Sequence, residues 1–198
     1  GRVTEAEPLF NRAIELFQTD ASWVAFGLEK ARNNFGVMLM DHDRLPEAAE
    51  LFEKVLEVYR AELPANHPHL GSAVQNLAGV YDRQARSPEA WSLYEESLRI
   101  LRAGPYPDQL AIATIIKNQG AYLDGRGLYA DALMKFREAL EIEKRFPPRQ
   151  ALTMYQTLGS ISDVSVRADD IPGARNASRR SLSVGAQTWC QVHHRQRY

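Results

Sequence analysis

The sequence predicts an all-α fold: a superhelix of repeated helix pairs, one half repeat followed by four full ones. Three observations carry that prediction. An alanine returns every 42 residues, at Ala6, Ala48, Ala90, Ala132 and Ala174. Four residues after each stand Phe10, Phe52, Tyr94, Phe136 and Ser178. Eight residues after each stand Ile14, Leu56, Leu98, Leu140 and Leu182. Offsets of four and eight place the three positions on one face of a helix. A fixed period kept five times marks an array whose units touch only their neighbours.

Composition narrows the class of function. The chain has 198 residues, 44% of them hydrophobic, enough for a continuous core. The net charge of −1 gives no global field that would attract nucleic acid or an anionic membrane. Of the 24 basic residues, five are Lys and 19 are Arg, which reads first as a composition bias. Cys190 is the one cysteine, so no internal disulfide forms. No apolar run approaches the roughly 18 residues of a membrane span. No signal peptide is visible, and the default expectation is an intracellular, cytoplasmic protein.

The elements follow in order. Residues 1–18 hold the repeat alanine, Ala6, with Phe10, Ala13 and Ile14 at helical spacing, but no first helix before them. This is half a repeat. Trp23–Met40 reads as a helix with Phe35, Met38 and Leu39 inward. After a turn at His42–Leu45, Pro46 opens the helix that continues through Glu47–Ala61, because the first helical position has no N–H to lose. In the loop Glu62–Pro68, Asn66 is the expected cap of the next helix and Pro68 its start. Pro68–Gln84 and Ser87–Arg102 form the third repeat, with Ser87 expected as N-cap and Pro88 behind it. Asp108–Leu123 and Leu128–Arg145, split by Gly125 and Gly127, form the fourth. Arg149–Val166 and Pro172–Gln187 form the fifth. The array is thus expected over 1–186, in repeats of about 1–18, 22–61, 68–102, 107–145 and 149–186, with a basic tail at 187–198.

These residues resemble the tetratricopeptide repeat, whose pattern W-x2-L-G-x2-Y…A-x3-F fills about 34 residues. With the repeated alanine set on the family's alanine, the small residue of the first helix falls on Gly36, Ala78, Gly120 and Ser162. The aromatic of the second helix falls on Phe10, Phe52, Tyr94, Phe136 and Ser178. The longer repeat is similar to the kinesin light chain type. His67-Pro68, Gln75-Asn76-Leu77-Ala78, Tyr81 and Glu5-Ala6-Glu7-Pro8-Leu9-Phe10 carry that likeness. There are departures. The tryptophan slot holds Arg32, Val74, Ile116 and Leu158, and Ser162, Ser165, Ser178 and Ser181 occupy core slots of the fifth repeat. That repeat reads as a cap or as a surface covered by a partner.

The resemblance implies a non-catalytic protein-interaction module. It binds an extended peptide or a partner protein in a concave groove lined by the first helix of each repeat. The groove residues it implies are Asn33, Asn34, Gln75, Asn76, Asp82, Arg83, Lys117, Asn118, Asp124 and Asp163, with Lys30, Asp41, Gln156, Gly159, Ser160 and Arg167 among their neighbours. Asn34, Asn76 and Asn118 form a ladder spaced by 42, and each amide offers a donor and an acceptor to a peptide backbone. Aspartates alternate with Lys30, Arg83, Lys117 and Arg167, a mixture that argues against a purely acidic or purely basic ligand. The carboxylate clamp of chaperone-binding relatives is incomplete, since only Asn76 and Lys117 are present.

No enzymatic activity, cofactor or metal is expected. His67 and His69 flank Pro68 as loop residues, His193-His194 has no further ligands at metal spacing, and Cys190 has no fixed base. Gly125-Arg126-Gly127 lacks the Lys-Ser/Thr of a phosphate loop. The alternative reading is a structural or assembly subunit of a larger complex. It would contact nucleic acid through Arg175, Arg179, Arg180, Arg195 and Arg197, which follow the last acidic residue, Asp170. Finally, Val3, Leu9 and Leu16 leave an apolar side of the first helix open. Upstream sequence or another chain is expected to cover it.

Overall fold

Every described element is an α-helix, and none of the described residues forms a strand. The computed structural model describes residues 2–19, 24–104, 107–146 and 151–195, and side chains over 5–16, 27–86, 88–104, 107–146 and 152–184. The helices are α1 (Arg2–Thr19), α2 (Val24–Asp41), α3 (Leu45–Glu62), α4 (Pro68–Arg83), α5 (Ser87–Arg102), α6 (Gln109–Asp124), α7 (Tyr129–Glu143), α8 (Ala151–Arg167) and α9 (Ile171–Arg195). They gather into two compact units, Gly1–Pro107 and Asp108–Tyr198. In the first, each helix from α1 to α5 packs on the next, and α2 also meets α4. In the second, α6 packs on α7, α7 on α8 and α8 on α9. The all-α repeat fold is as expected, with α2–α3, α4–α5, α6–α7 and α8–α9 as its pairs.

Each pair is closed by one contact. Ala48, Ala90 and Ala132 are fully buried, and Phe52, Tyr94 and Phe136 beside them are nearly so. The rings lie against the small residue of the preceding helix. A methyl group added at Gly36 would sit 2.8 Å from the Phe52 ring, and one at Gly120 would sit 3.0 Å from Phe136. In the third repeat the same places hold Ala78 and Tyr94, both buried. In the fifth, Ser162 is the small residue and Ser178 stands where the ring would; their hydroxyls hydrogen-bond at 2.7 Å, and Ser178, expected in a core slot, is exposed. A second bond recurs: Ser97 Oγ donates to the Gly71 carbonyl at 2.6 Å, and 84 residues later Ser181 Oγ donates to the Tyr155 carbonyl at 3.4 Å.

The turn inside each pair is also one object repeated. Asp43, Ala85, Gly127 and Asp169 have φ of 63, 58, 73 and 58°, the left-handed conformation that ends a helix. The next residue returns its N–H to a carbonyl five back: Arg44 to Leu39, Arg86 to Tyr81, Leu128 to Leu123 and Asp170 to Ser165. That residue then serves directly as the cap of the second helix in the pair. This corrects the expectation for Ser87. Arg86 is the N-cap of α5 and makes no cap bond through its side chain, and Ser87 is the first helical residue, its own side chain lying outside those described. Asn66 is corrected as well. His67 caps α4 by accepting the His69 N–H on Nδ1 at 3.2 Å, while Asn66 Nδ2 donates to the Ala103 carbonyl at 3.2 Å. Burial and the neighbouring His67 and Lys30 hold His69 below the usual histidine range.

Two expectations at the C-terminal end change. Leu182, placed with Leu56 and Leu140 in the core, is 70% exposed. Leu56 and Leu140 stand on α3 and α7, which α4 and α8 cover, whereas among the described residues α8 is the helix packed on α9. The last helix also runs to Arg195, past position 187 where a tail was expected to begin.

Three substitutions, one of them a control, test this architecture by urea or thermal unfolding. Gly36→Ala drives a methyl group into the Phe52 ring and is expected to cost about 1–3 kcal/mol. Gly159→Ala, where an added Cβ meets nothing within 4 Å, is the control and is expected to be neutral or stabilising. Ala85→Gly relieves a left-handed alanine and is expected to stabilise by about 1 kcal/mol.

Candidate functional site

The ten expected groove residues stand on the first helices of the pairs, two sets in two units. In the N-terminal unit, α2 carries Asn33, half-buried, and Asn34, exposed; α4 carries Gln75, Asn76 and Asp82, half-buried, and Arg83, exposed. The structure brings Asn33 and Asn76 together: Asn76 Nδ2 donates to Asn33 Oδ1 at 3.0 Å. Asn76 is therefore bonded across to the preceding repeat. Arg83 is held in the same way, with Nη2 3.0 Å from Asp43 and Nη1 donating to the Met40 carbonyl. The side chains of Asn34 and Gln75 make no hydrogen bond to another described residue.

In the C-terminal unit, α6 carries Lys117, Asn118 and Asp124, all half-buried, and α8 carries Asp163, exposed. Lys117 Nζ lies 3.4 Å from Glu143 Oε1 on α7, with side-chain exposures of 18% and 3%. The Thr157 hydroxyl of α8 lies 3.2 Å from the same oxygen and 2.9 Å from the Thr153 carbonyl. One carboxylate thus joins three helices. Asp124 accepts two bonds from Arg167, at 3.1 and 2.6 Å. Neither Asn118 nor Asp163 has a side-chain partner among the described residues.

The bonds between successive first helices join residues 43 apart: Asn33–Asn76, Met40–Arg83 and Asp124–Arg167. The repeat is 42. Each contact thus falls one position earlier on the preceding first helix than the period alone places it. Aligning Asn34, Asn76 and Asn118 by the period alone missed this.

Sequence reasoning also missed Glu143 and Thr157. The signal was available: the places equivalent to Glu143 hold Tyr59 and Leu101, so a carboxylate stands in an apolar slot. Glu29 is a second case, in a slot that elsewhere holds Gly71 and Ala113. It is buried and paired with Arg32 at 2.6 Å, and burial pushes its carboxyl above the usual range despite that partner. Glu29 Oε2 and Glu143 Oε2 have no partner among the described residues.

Among the described residues no group of three or more His, Cys, Asp or Glu is arranged to hold a metal, and no helix is long and apolar enough to cross a membrane. His67 and His69 stand with ring centroids 5.2 Å apart at the start of α4, where His67 acts as a cap. Of the basic C-terminal residues, Arg175, Arg179 and Arg180 are exposed on α9. The side chains of Cys190, His193, His194 and Arg195, and residue Arg197, lie outside the described residues, as does the side chain of Val3. Leu9 and Leu16 are 71% and 54% exposed on α1.

The Lys117–Glu143 pair yields a stability test. Lys117→Met strands a buried carboxylate with one hydroxyl and is expected to cost about 3–5 kcal/mol of unfolding free energy. Lys54→Met, which removes an exposed pair with Glu50, is expected to stay within about 0.5 kcal/mol. Equal effects of the two would show that Lys117 has no structural part.

Comparison with known proteins agrees with this geometry. Residues 27–103 match the family model described as a tetratricopeptide repeat. A search of curated proteins gave no match. Among solved structures, BtubC (BKLC) from P. vanneervenii is similar with a TM-score of 0.81 at 19% identity, over 95% of this chain and 75% of that one. A putative kinesin light chain with TPR-like repeats from Podosopora anserina is similar with a TM-score of 0.74 at 15% identity, over 96% and 89%. Aspartyl phosphate phosphatase F from Bacillus subtilis gives 0.81 at 12% identity, over 92% and 46%. The paired helices and the match at 27–103 show a tetratricopeptide-like α-solenoid fold, similar to that of the kinesin light chain-like repeats.

Proposed function

We propose that this chain is a non-catalytic protein-binding module that holds an extended segment of a partner against the first helices of its repeats. The observation that carries the reading is a division among polar side chains. Asn33, Asn76, Arg83, Lys117 and Arg167 are tied to other parts of the protein. Asn34 and Gln75 in one unit and Asn118 in the other keep amides with no partner among the described residues. An amide on a helix face, with donor and acceptor unengaged, suits the backbone of an extended chain. The acting residues are therefore Asn34, Gln75 and Asn118, and Asn76 positions its helix.

A library of extended peptides selected on the whole chain tests the reading. The triple variant Asn34→Ala, Gln75→Ala, Asn118→Ala is expected to bind a selected peptide at least about tenfold more weakly, with unchanged helicity by circular dichroism. Unchanged affinity would overturn the assignment.

A further inference from the structure

We infer that the face formed by α6 and α8 takes a segment bearing a cationic side chain, which Asp163 meets, and disfavours an acidic one. This rests on the groove reading above and adds the ligand's charge. The two helices carry two cations in all, Lys117 and Arg167. Both are neutralised inside the protein, Lys117 by buried Glu143 at 3.4 Å and Arg167 by the bidentate Asp124 at 3.1 and 2.6 Å. Asp163 is the charged group of these helices left over among the described residues, exposed and without a partner.

An acidic ligand that drew Lys117 away from Glu143 would strand that buried carboxylate. That carboxylate already has one oxygen without a partner, and it would keep only the Thr157 hydroxyl. A cationic ligand disturbs neither pair. The surface beside Asp163 is also open. Gly159 lies one turn before it on the same face of α8, and a Cβ there would meet nothing within 4 Å, which leaves room for a close backbone approach. The alternating charges seen in the sequence thus resolve into internal pairs and one negative group.

The test uses the whole chain and three synthetic peptides of one Ser/Asn/Ala host sequence, with a central Lys-Arg, Glu-Asp or Ser-Ser, titrated by fluorescence anisotropy at low and at physiological salt. The Lys-Arg peptide is expected to bind at least about tenfold more tightly than the Glu-Asp peptide at low salt, with a smaller ratio at higher salt. Asp163→Asn, at an exposed site that leaves the fold intact, is expected to bring the ratio close to one. Equal or tighter binding of the Glu-Asp peptide, or a ratio unmoved by Asp163→Asn, overturns the inference. If the preference is missing while Asn118→Ala still weakens all three peptides, the groove reading stands and only the charge assignment falls. If none of the three binds at about 1 mM, both fall.

Discussion

A ring on the second helix of each pair lies against a position that has room for a small residue only, and the remaining structure depends on that contact. It sets how closely the two helices approach. At Gly36 there is no space for a methyl group, at Gly120 one would crowd the Phe136 ring, and at Ala78 the chain accepts one. Close approach then buries the alanine of the second helix and the leucine one turn beyond the ring. Where the ring is lost, at exposed Ser178, the small residue is Ser162, and the two hydroxyls hydrogen-bond. The substitution is compensated within the pair, which is why the fifth repeat keeps its helices although its core slots are polar.

The turn between paired helices is the second constraint. A left-handed residue reverses the chain in the fewest residues, and the residue after it caps the next helix. Glycine fills that place once in four, so the other three bear a conformational cost. The cap position receives electrostatic help instead. Arg44 bridges Glu47 and Glu7, and Arg86 bonds Glu89 and stacks on Tyr81 at 3.7 Å. Hydrogen bonding from Arg44 holds the Glu47 carboxyl below its usual range. These groups are exposed and screened, so their part is to select a geometry more than to add stability.

Polar side chains on the first helices fall into two kinds. Some reach back to the preceding repeat or into the pair and fix its spacing. Others have no side-chain bond among the described residues. The buried carboxylate of Glu143 shows why the first kind matters for the second. By holding Lys117 it removes a positive charge from a surface that would otherwise present one. A structural ion pair thereby sets the charge of that surface.

Much of the fold was legible in the sequence, because the contacts that build it are local and periodic. Alanine, ring and leucine lie within nine residues of one another, and the small residue that faces the ring is one helix away. Helix bounds fell within two residues for α2 to α8, while the cap at Ser87 was misjudged because a left-handed turn at Ala85 sets it, and the cap at Asn66 because the His67 ring takes that part. The candidate residues were legible as positions but not as roles. Whether Asn76, Lys117 or Arg167 is engaged depends on where the neighbouring repeat's side chains lean, a displacement of one residue that the period conceals. The sequence by itself determined the repeat, its pairs and its core. Only the tertiary structure decided which polar groups hold the repeats together and which have no bond among the described residues, because that choice is made across helices far apart in the chain.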